Sequence, residues 1–378
     1  MIALNPFTHD ARVMKEARTL VSKGHQVTVN ALWSAGLPVR ESIEDVQVFR
    51  LRLKSREGKH IPLAVWTELL PGFIKAIRSQ KPAVVHGHEL NALIPAYFAA
   101  RICHVRLIYD SHEFEIGRRG LRNRAAAWKR SLWKLVEGYL IHRSDAVVTV
   151  SPSIAKELSR IYKVPLPEVV MNCPDLIDLP PTGRIHQWLG IPLDCPIILF
   201  QGGLSKGRGL EAVVQAISRV PGCHFVMLGE GQLRTELEGL AQKMNISDRV
   251  HLPGLVPLHD LISYTRDAAL GACLIEKYSL SYYYSLPNKL FEYLMAGIPV
   301  LASDFPDMRR IVETSGAGVV ADPSRIDLIA RAIAHLLADP VRLREMAGRA
   351  RAAAETRYNW GIEAGKLLAI YSRLDSGV

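Results

Sequence analysis

A chain of 378 residues exceeds the roughly 250–300 residues at which one hydrophobic core stops growing, so two domains are the default. Apolar residues at 48% and charged residues at 22% exclude a disordered chain, and five cysteines without paired spacing exclude a disulfide-stapled secreted domain. The formal charge of +10 admits nucleic acid, anionic lipid or phosphorylated small molecules as partners and chooses none of them.

The chain opens with MIALNPFTHDARV, which has neither a basic start nor a long apolar run, so no signal peptide is expected. IALN reads as a first strand, and ARVMKEARTLVSKG as a helix ending at Gly24. HQVTVNAL, VQVFRLRL, AVVHGHE and VRLIYDSHE are strand candidates with polar exits. DAVVTVSPSIAKELSRIY is a strand feeding a helix, with Ser151 or Ser153 as the cap. Such repetition predicts a parallel sheet with helices on both faces.

Residues 175 to 196, DLIDLPPTGRIHQWLGIPLDCP, are rich in Pro and lack periodicity, which suits a linker. Beyond them the pattern restarts. IILFQGG, HFVMLGEG, VHLPG, AALGACLI, IPVLASD and AGVVAD read as strands. Helices are predicted over 208–219, 232–244, 257–265, 288–296, 307–314 and 358–373. The most apolar stretch, DAALGACLI over 267–275, is too short to span a bilayer. The expected location is the cytoplasm or, peripherally, the cytoplasmic face of the inner membrane.

In open α/β sheets, ligands bind at the carboxyl ends of strands, so the loops there are read first. GGLSKGRG follows a strand and precedes a helix. Gly202 and Gly203 let backbone N–H groups approach an anion, and Lys206 and Arg208 add charge. The spacing is neither a P-loop nor G-x-G-x-x-G. An ordinary strand–helix turn stays open as the alternative. Gly229 and Glu230 repeat the layout at the next exit, and Val256 lies in the Gly254–Pro257 exit. In SLPNKLFEYLMAGIPVLASD, Pro287 suits a first helical turn, and Asn288 and Glu292 share a face. Lys289 near that N-terminus opposes the helix dipole and asks for an anion. Glu292 is either that anion or an acceptor for ribose hydroxyls.

Taken together, NPFTHDARVMKEARTLVSKGHQVTV, LIYDSHEFE, ILFQGGLSKGRGLE, FVMLGEG and LPNKLFEYLMAGIPVLASD resemble glycosyltransferase family 4, in its subgroup with an LPNKLFEY-type motif. The resemblance implies the GT-B fold: α/β, two doubly wound Rossmann-like domains facing a cleft. Residues 1–180 form the acceptor-side domain, 190–355 the nucleotide-sugar domain, and 356–378 a C-terminal helix crossing back to the first. It implies retaining transfer of a sugar from a nucleotide-sugar to an acceptor hydroxyl on a glycan or lipid-linked intermediate. A non-catalytic sugar-nucleotide-binding subunit and a GT-B epimerase are the competing readings.

The resemblance also assigns roles. Glu292 matches the second acid of the family's paired glutamates, and Tyr284 stands at the position of the first. The usual Arg–Lys pair of the phosphate loop is reduced to Gly203 and Arg208, with Lys289 or Lys206 supplying the missing charge. His112 matches the active-site His of the first domain, and His9, Asp10 and Arg12 stand where the family's glycine-rich loop would approach the donor sugar and acceptor, which implies a catalytic place for Asp10 and Arg12. No Asp-x-Asp is present, so no metal and no other cofactor is expected, and His86, His88 and Glu89 are disfavoured as zinc ligands. Residues 118–143 mix Trp128, Trp133 and Tyr139 with many Arg and Lys, which suits an anionic membrane surface. Nucleic acid is not an expected partner, since no recognised module accompanies the charge.

Overall fold

The computed structural model describes residues 1–8, 10–53, 66–118, 124–178 and 183–375, the side chains of 124–127 excepted. His9 and residues 119–123 of the basic segment lie outside the described residues. Two compact units emerge: Met1–Met171 with Ala364–Val378, and Asn172–Glu363. Each is Rossmann-like, and the architecture is GT-B.

In chain order the first unit carries α1 (Ala11–Ser22), β1 (Thr28–Leu32), β2 (Arg40–Ile43), β3 (Val46–Leu51), α2 (Trp66–Gln80), β4 (Val84–His88), α3 (Glu89–Cys103), β5 (Arg106–Ser111), α4 (Arg124–Ile141), β6 (Ala146–Thr149), α5 (Pro152–Tyr162) and β7 (Glu168–Val169). Strands run in the orders β1-β3-β2 and β4-β5-β6-β7, parallel except for the β2–β3 hairpin. Ile2 joins the two groups by bridging Asn30 of β1 and Gly87 of β4. The expected strand IALN is reduced to that bridge. Chain order therefore reverses at Ile2, and beside the reversal lie residues 5–8 and the junction of β4 with α3 at residues 88–89. Ser151, not Ser153, caps α5 by accepting from the Ile154 amide.

α4 is held from below by a buried carboxylate. Glu137 accepts hydrogen bonds from the Tyr109 hydroxyl (2.7 Å) and the Tyr162 hydroxyl (2.7 Å). Burial pushes its carboxyl up to about 7. This fixes which face of α4 turns inward.

The second unit carries α6 (Arg184–Leu189), β8 (Ile197–Gln201), α7 (Leu210–Ile217), β9 (His224–Leu228), α8 (Arg234–Lys243), β10 (Val250–Gly254), α9 (Leu261–Thr265), β11 (Leu270–Cys273), α10 (Leu280–Tyr283), α11 (Asn288–Ala296), β12 (Val300–Ser303), α12 (Pro306–Ser315), β13 (Gly318–Ala321), α13 (Ile326–Leu337) and α14 (Pro340–Thr356). α15 (Trp360–Asp375) is the last described helix. The sheet order is β10-β9-β8-β11-β12-β13, with parallel pairing throughout the described residues. Order reverses between β8 and β11, the crevice where such sheets bind ligands.

α11 is clamped over that crevice. A Cβ on Gly271 of β11 would lie 2.4 Å from the Tyr293 ring, so only glycine lets α11 approach this closely. The Tyr293 hydroxyl then donates to Leu199 O (3.1 Å) and Ala272 O (3.3 Å), one on each side of the reversal. Packing at Tyr293 thereby places Lys289 and Glu292 at the ends of β8 and β11.

Candidate active site

The second unit brings several of the sequence-predicted residues together. Gly202 follows β8 with φ +120, a conformation open to glycine. A Cβ there would lie 3.5 Å from Lys289 Nζ. Lys289 thus reaches the glycine loop across the reversal. It is only 7% exposed and lies over the Phe200 ring, 3.4 Å from the centroid. Burial pulls its ammonium down to about 7; Arg208 pushes the same way, and Cys273 and Glu292 oppose.

Glu292 accepts a short hydrogen bond from Gln201 Nε2, and Gln201 Oε1 in turn accepts from Thr265 Oγ1 at 2.7 Å. The carboxylate is therefore pinned at the end of β8. Arg208 is half-buried with its guanidinium 5.5 Å from the Tyr282 ring centroid. Gly203 is exposed, and a Cβ on it would meet nothing within 4 Å. Packing does not require glycine there, which leaves room for a ligand.

Other predicted residues have partners of their own. Gly229 is needed because a Cβ would lie 2.0 Å from Gly202 O; it serves loop-on-loop packing. Glu230 is exposed and pairs with Arg234 at 2.8 Å. Asn288 Oδ1 accepts from Asn172 Nδ2 at 2.9 Å. Lys206 is exposed, and Val256 is half-buried in the loop after β10.

In the first unit the polar groups meet below the loops. Asp110 ends β5 fully buried. Its oxygens accept from Arg12 Nε (2.9 Å) and Nη2 (3.0 Å), and Oδ2 also accepts from His112 Nε2 (2.9 Å). This assigns the proton of His112 to Nε2 and leaves Nδ1 3.7 Å from Glu89 Oε1. Burial alone would raise Asp110; Arg12 and the bonds from His112 and His88 outweigh it and hold the carboxyl well below the usual range. Arg12 also donates to Val170 O at 2.7 Å and is 4% exposed, so its reach is to Asp110, not outward. Asp10 caps α1, accepting from Val13 N at 3.2 Å and from Asn5 Nδ2 at 2.8 Å.

The expectation of no metal is overturned here. Glu16, His86, His88 and Asp110 each offer a ligand atom, all within 4.8 Å of one another, and all four are buried. Two imidazoles and two carboxylates suit a transition ion such as zinc. Both Glu16 oxygens and the Nε2 atoms of His86 and His88 lack hydrogen-bond partners among the described residues. Arg12 Nε lies 3.1 Å from Glu16 Oε1, an ion pair without hydrogen-bond geometry. Burial raises Glu16 well above a normal carboxylate, lowers His86 well below a normal imidazole and brings His88 down to about 4. Glu89, grouped with the two histidines by adjacency in sequence, is not part of the set. Strand alternation puts His86 and His88 on one side of β4, while Glu16 comes from α1 and Asp110 from β5. No spacing in the sequence joins those three segments.

Sequence reasoning also passed over Gln201, Thr265 and Phe200. The polar residue closing the apolar run IILFQ was the available signal for Gln201.

Residues 182–355 match the model "Glycosyl transferases group 1", and residues 9–174 match "Glycosyl transferase 4-like domain". The chain is 24% identical over 372 residues to an uncharacterized glycosyltransferase of Methanocaldococcus jannaschii, covering 94% of this chain and 91% of the other. Sucrose-phosphate synthase from Thermosynechococcus elongatus superimposes with a TM-score of 0.82 at 20% identity, over 100% of this chain and 98% of that one. The Anabaena protein Alr3699/HepE in complex with UDP-glucose gives 0.78 at 15% identity, over 98% of both.

Proposed function

Since the chain is a GT-B fold glycosyltransferase related to the group 1 and glycosyl transferase 4-like families and acts on a nucleotide-sugar donor, we propose that it transfers the sugar with retention to a hydroxyl of a glycan or lipid-linked acceptor. The observation that carries the reading is the meeting of Lys289 Nζ with the Gly202 loop, on the helix that also presents Glu292.

In this reading the diphosphate rests on the Gly203 backbone at the mouth of α7. Lys289 and Arg208 meet the negative charge that grows as the bond from the anomeric carbon to phosphate oxygen breaks. The acceptor oxygen forms the new glycosidic bond on the same face, and its proton passes to the departing phosphate oxygen. Glu292 accepts from the ribose hydroxyls. In the first unit, His112 takes a sugar hydroxyl; Asp110 and Arg12 are positioning residues behind it, and Asp10 fixes the start of α1. UDP is the first nucleotide to try, because the Anabaena protein is seen with UDP-glucose.

The test is turnover of a panel of nucleotide-sugars, with the product's anomeric configuration read by NMR. An inverted product removes the retaining claim. Glu292→Gln, which keeps shape and removes charge, is expected to weaken UDP binding by roughly 1.5–3 kcal/mol, the range for a hydrogen bond to a charged group. Calorimetry on the purified variant checks it, and unchanged affinity would make Glu292 a structural partner of Gln201.

The membrane part of the proposal rests on α4. Trp128, Leu132, Leu135 and Tyr139 repeat at helical spacing on its outer side and are 58%, 49%, 71% and 51% exposed. Phe98 and Ile102 of α3 are exposed too, and the Tyr97 and Tyr139 rings lie 6.0 Å apart. Glu137 holds the opposite face, so this stripe has no core to enter. Lys129, Arg130, Lys134 and Arg143 accompany it. Among the described residues no helix is long and apolar enough to cross a membrane. The proposed contact is lateral, with anionic headgroups at the cytoplasmic face. Sedimentation with phosphatidylglycerol vesicles is expected at low salt and is expected to fade as salt rises. Leu135→Glu should abolish it without changing transfer to a soluble acceptor. Failure to sediment at low salt would refute the membrane contact.

A further inference from the structure

Left-handed backbone outside glycine has ordinary causes at most positions here. Glu44 and Asp45 make the β2–β3 hairpin turn, and Lys81, His104, Lys163 and Asn245 end helices. Phe7 and Glu89 remain, and both lie in the loops beside the order reversal of the first unit. Glu89 has φ +73 at the first residue of α3.

The turn itself is forced by packing. A Cβ on Gly87 would lie 2.9 Å from Ala96 Cβ and 3.1 Å from Leu93 Cα, so α3 presses directly on β4. The chain has glycine at 87 and an acidic, side-chain-bearing residue at 89, where a positive φ favours glycine. Strain of this kind persists where the side chain has work that glycine cannot do.

Burial first, and then the neighbouring Glu115 carboxyl, raise Glu89 well above the usual carboxylate range. Arg118 bonds to Glu113 at 2.7 Å and to Glu115, and stands 3.8 Å from Glu89 Oε2. Oε2 is buried and has no hydrogen-bond partner among the described residues. Oε1 lies 3.7 Å from His112 Nδ1, too far for a hydrogen bond between them. The Glu89 carboxyl and His112 Nδ1 thus stand side by side at the ends of β4 and β5, each able to hydrogen-bond one hydroxyl.

We propose that Glu89, backed by its strained turn, pairs with His112 to bind two neighbouring hydroxyls of a glycosyl ring, as a specificity-determining residue of the transfer reaction. The inference rests on the proposed function for its readout in turnover, but has an arm of its own. Glu89→Gly removes the carboxylate and the strain together. Its expected signature is opposed shifts: Tm rises by about 2–4 °C, while kcat/KM for sugar transfer falls roughly 10- to 100-fold and UDP affinity stays at the wild-type value. Glu89→Gln, which keeps the strain and an acceptor oxygen, should keep the wild-type Tm and lose less activity. A helix-supporting role for Glu89 at the positive end of the α3 dipole predicts the reverse, a lower Tm in the glycine variant. A fall in Tm, or wild-type turnover in Glu89→Gly, overturns the proposal. A wild-type chain that turns over no donor fails the proposed function instead, and Glu89 is then judged on the stability arm alone: a rise in Tm supports it and a fall refutes it.

Discussion

Lys289→Met is expected to lower kcat/KM for transfer by two to three orders of magnitude, roughly the loss seen when one strong transition-state donor is removed. The same change is expected to raise stability, because an ammonium over the Phe200 ring is replaced by an apolar chain of similar length. The pH dependence carries the signature. An ordinary lysine's 10.5 is pulled down to about 7 in the folded chain. The unfolded chain therefore binds one more proton between those values, and wild-type stability rises with pH across that window. The advantage of Met is fullest below about pH 7 and shrinks toward 10.5. Binding should show the complement. At pH 8 a diphosphate recharges Lys289, so UDP binding takes up a proton, seen as a calorimetric enthalpy that changes with the buffer's ionisation heat. Met should abolish that difference. Turnover within a few-fold of wild type, together with a buffer-independent enthalpy, would remove Lys289 from the phosphate site.

Asp110→Asn is expected to cost about 3–5 kcal/mol, because it leaves the buried Arg12 guanidinium with only Glu16, whose carboxyl burial raises well above the usual range. In a unit of this size that is a fall in Tm of about 6–20 °C. Arg12→Met combined with Asp110→Leu should cost less than the Asn variant, since no unpaired charge stays buried beside the strand. Thermal unfolding of the single and double variants forms the test, with metal content measured alongside because Asp110 also belongs to the Glu16–His86–His88 set. An Asn variant within about 1 kcal/mol of wild type would show that the ion pair contributes specificity of arrangement instead of stability. Arg12 was expected at the substrate; the hydrogen bonds to Asp110 and Val170 O place it underneath, where its effect on transfer runs through the orientation of His112.

What local chemistry controls was legible in the residues. Alternating apolar runs marked β1, β3, β4, β5 and β6 and the six strands of the second unit. Pro287 and Gly297 bounded α11 at its observed limits, and a serine before Pro152 marked the start of α5. These features are set by φ preferences, caps and side-chain period, all of which act within a few residues. The first strand failed as a prediction because its pairing reaches Asn30 and Gly87, far along the chain. Helices α2 and α3 were passed over, and α3 is almost uniformly apolar, which leaves no amphipathic stripe to read. Tertiary structure alone decided the rest. It buried Lys289 by laying α11 across β8 and β11, and it turned the apolar stripe of α4 outward by fixing Glu137 inward. It gathered Glu16, His86, His88 and Asp110 from three elements, which an absent Asp-x-Asp says nothing about. It also made Glu89 exceptional, because φ at that residue follows from how closely Gly87 lets α3 approach β4. Burial, charge coupling and backbone strain are sums over neighbours distant in sequence, and only the folded chain specifies those neighbours.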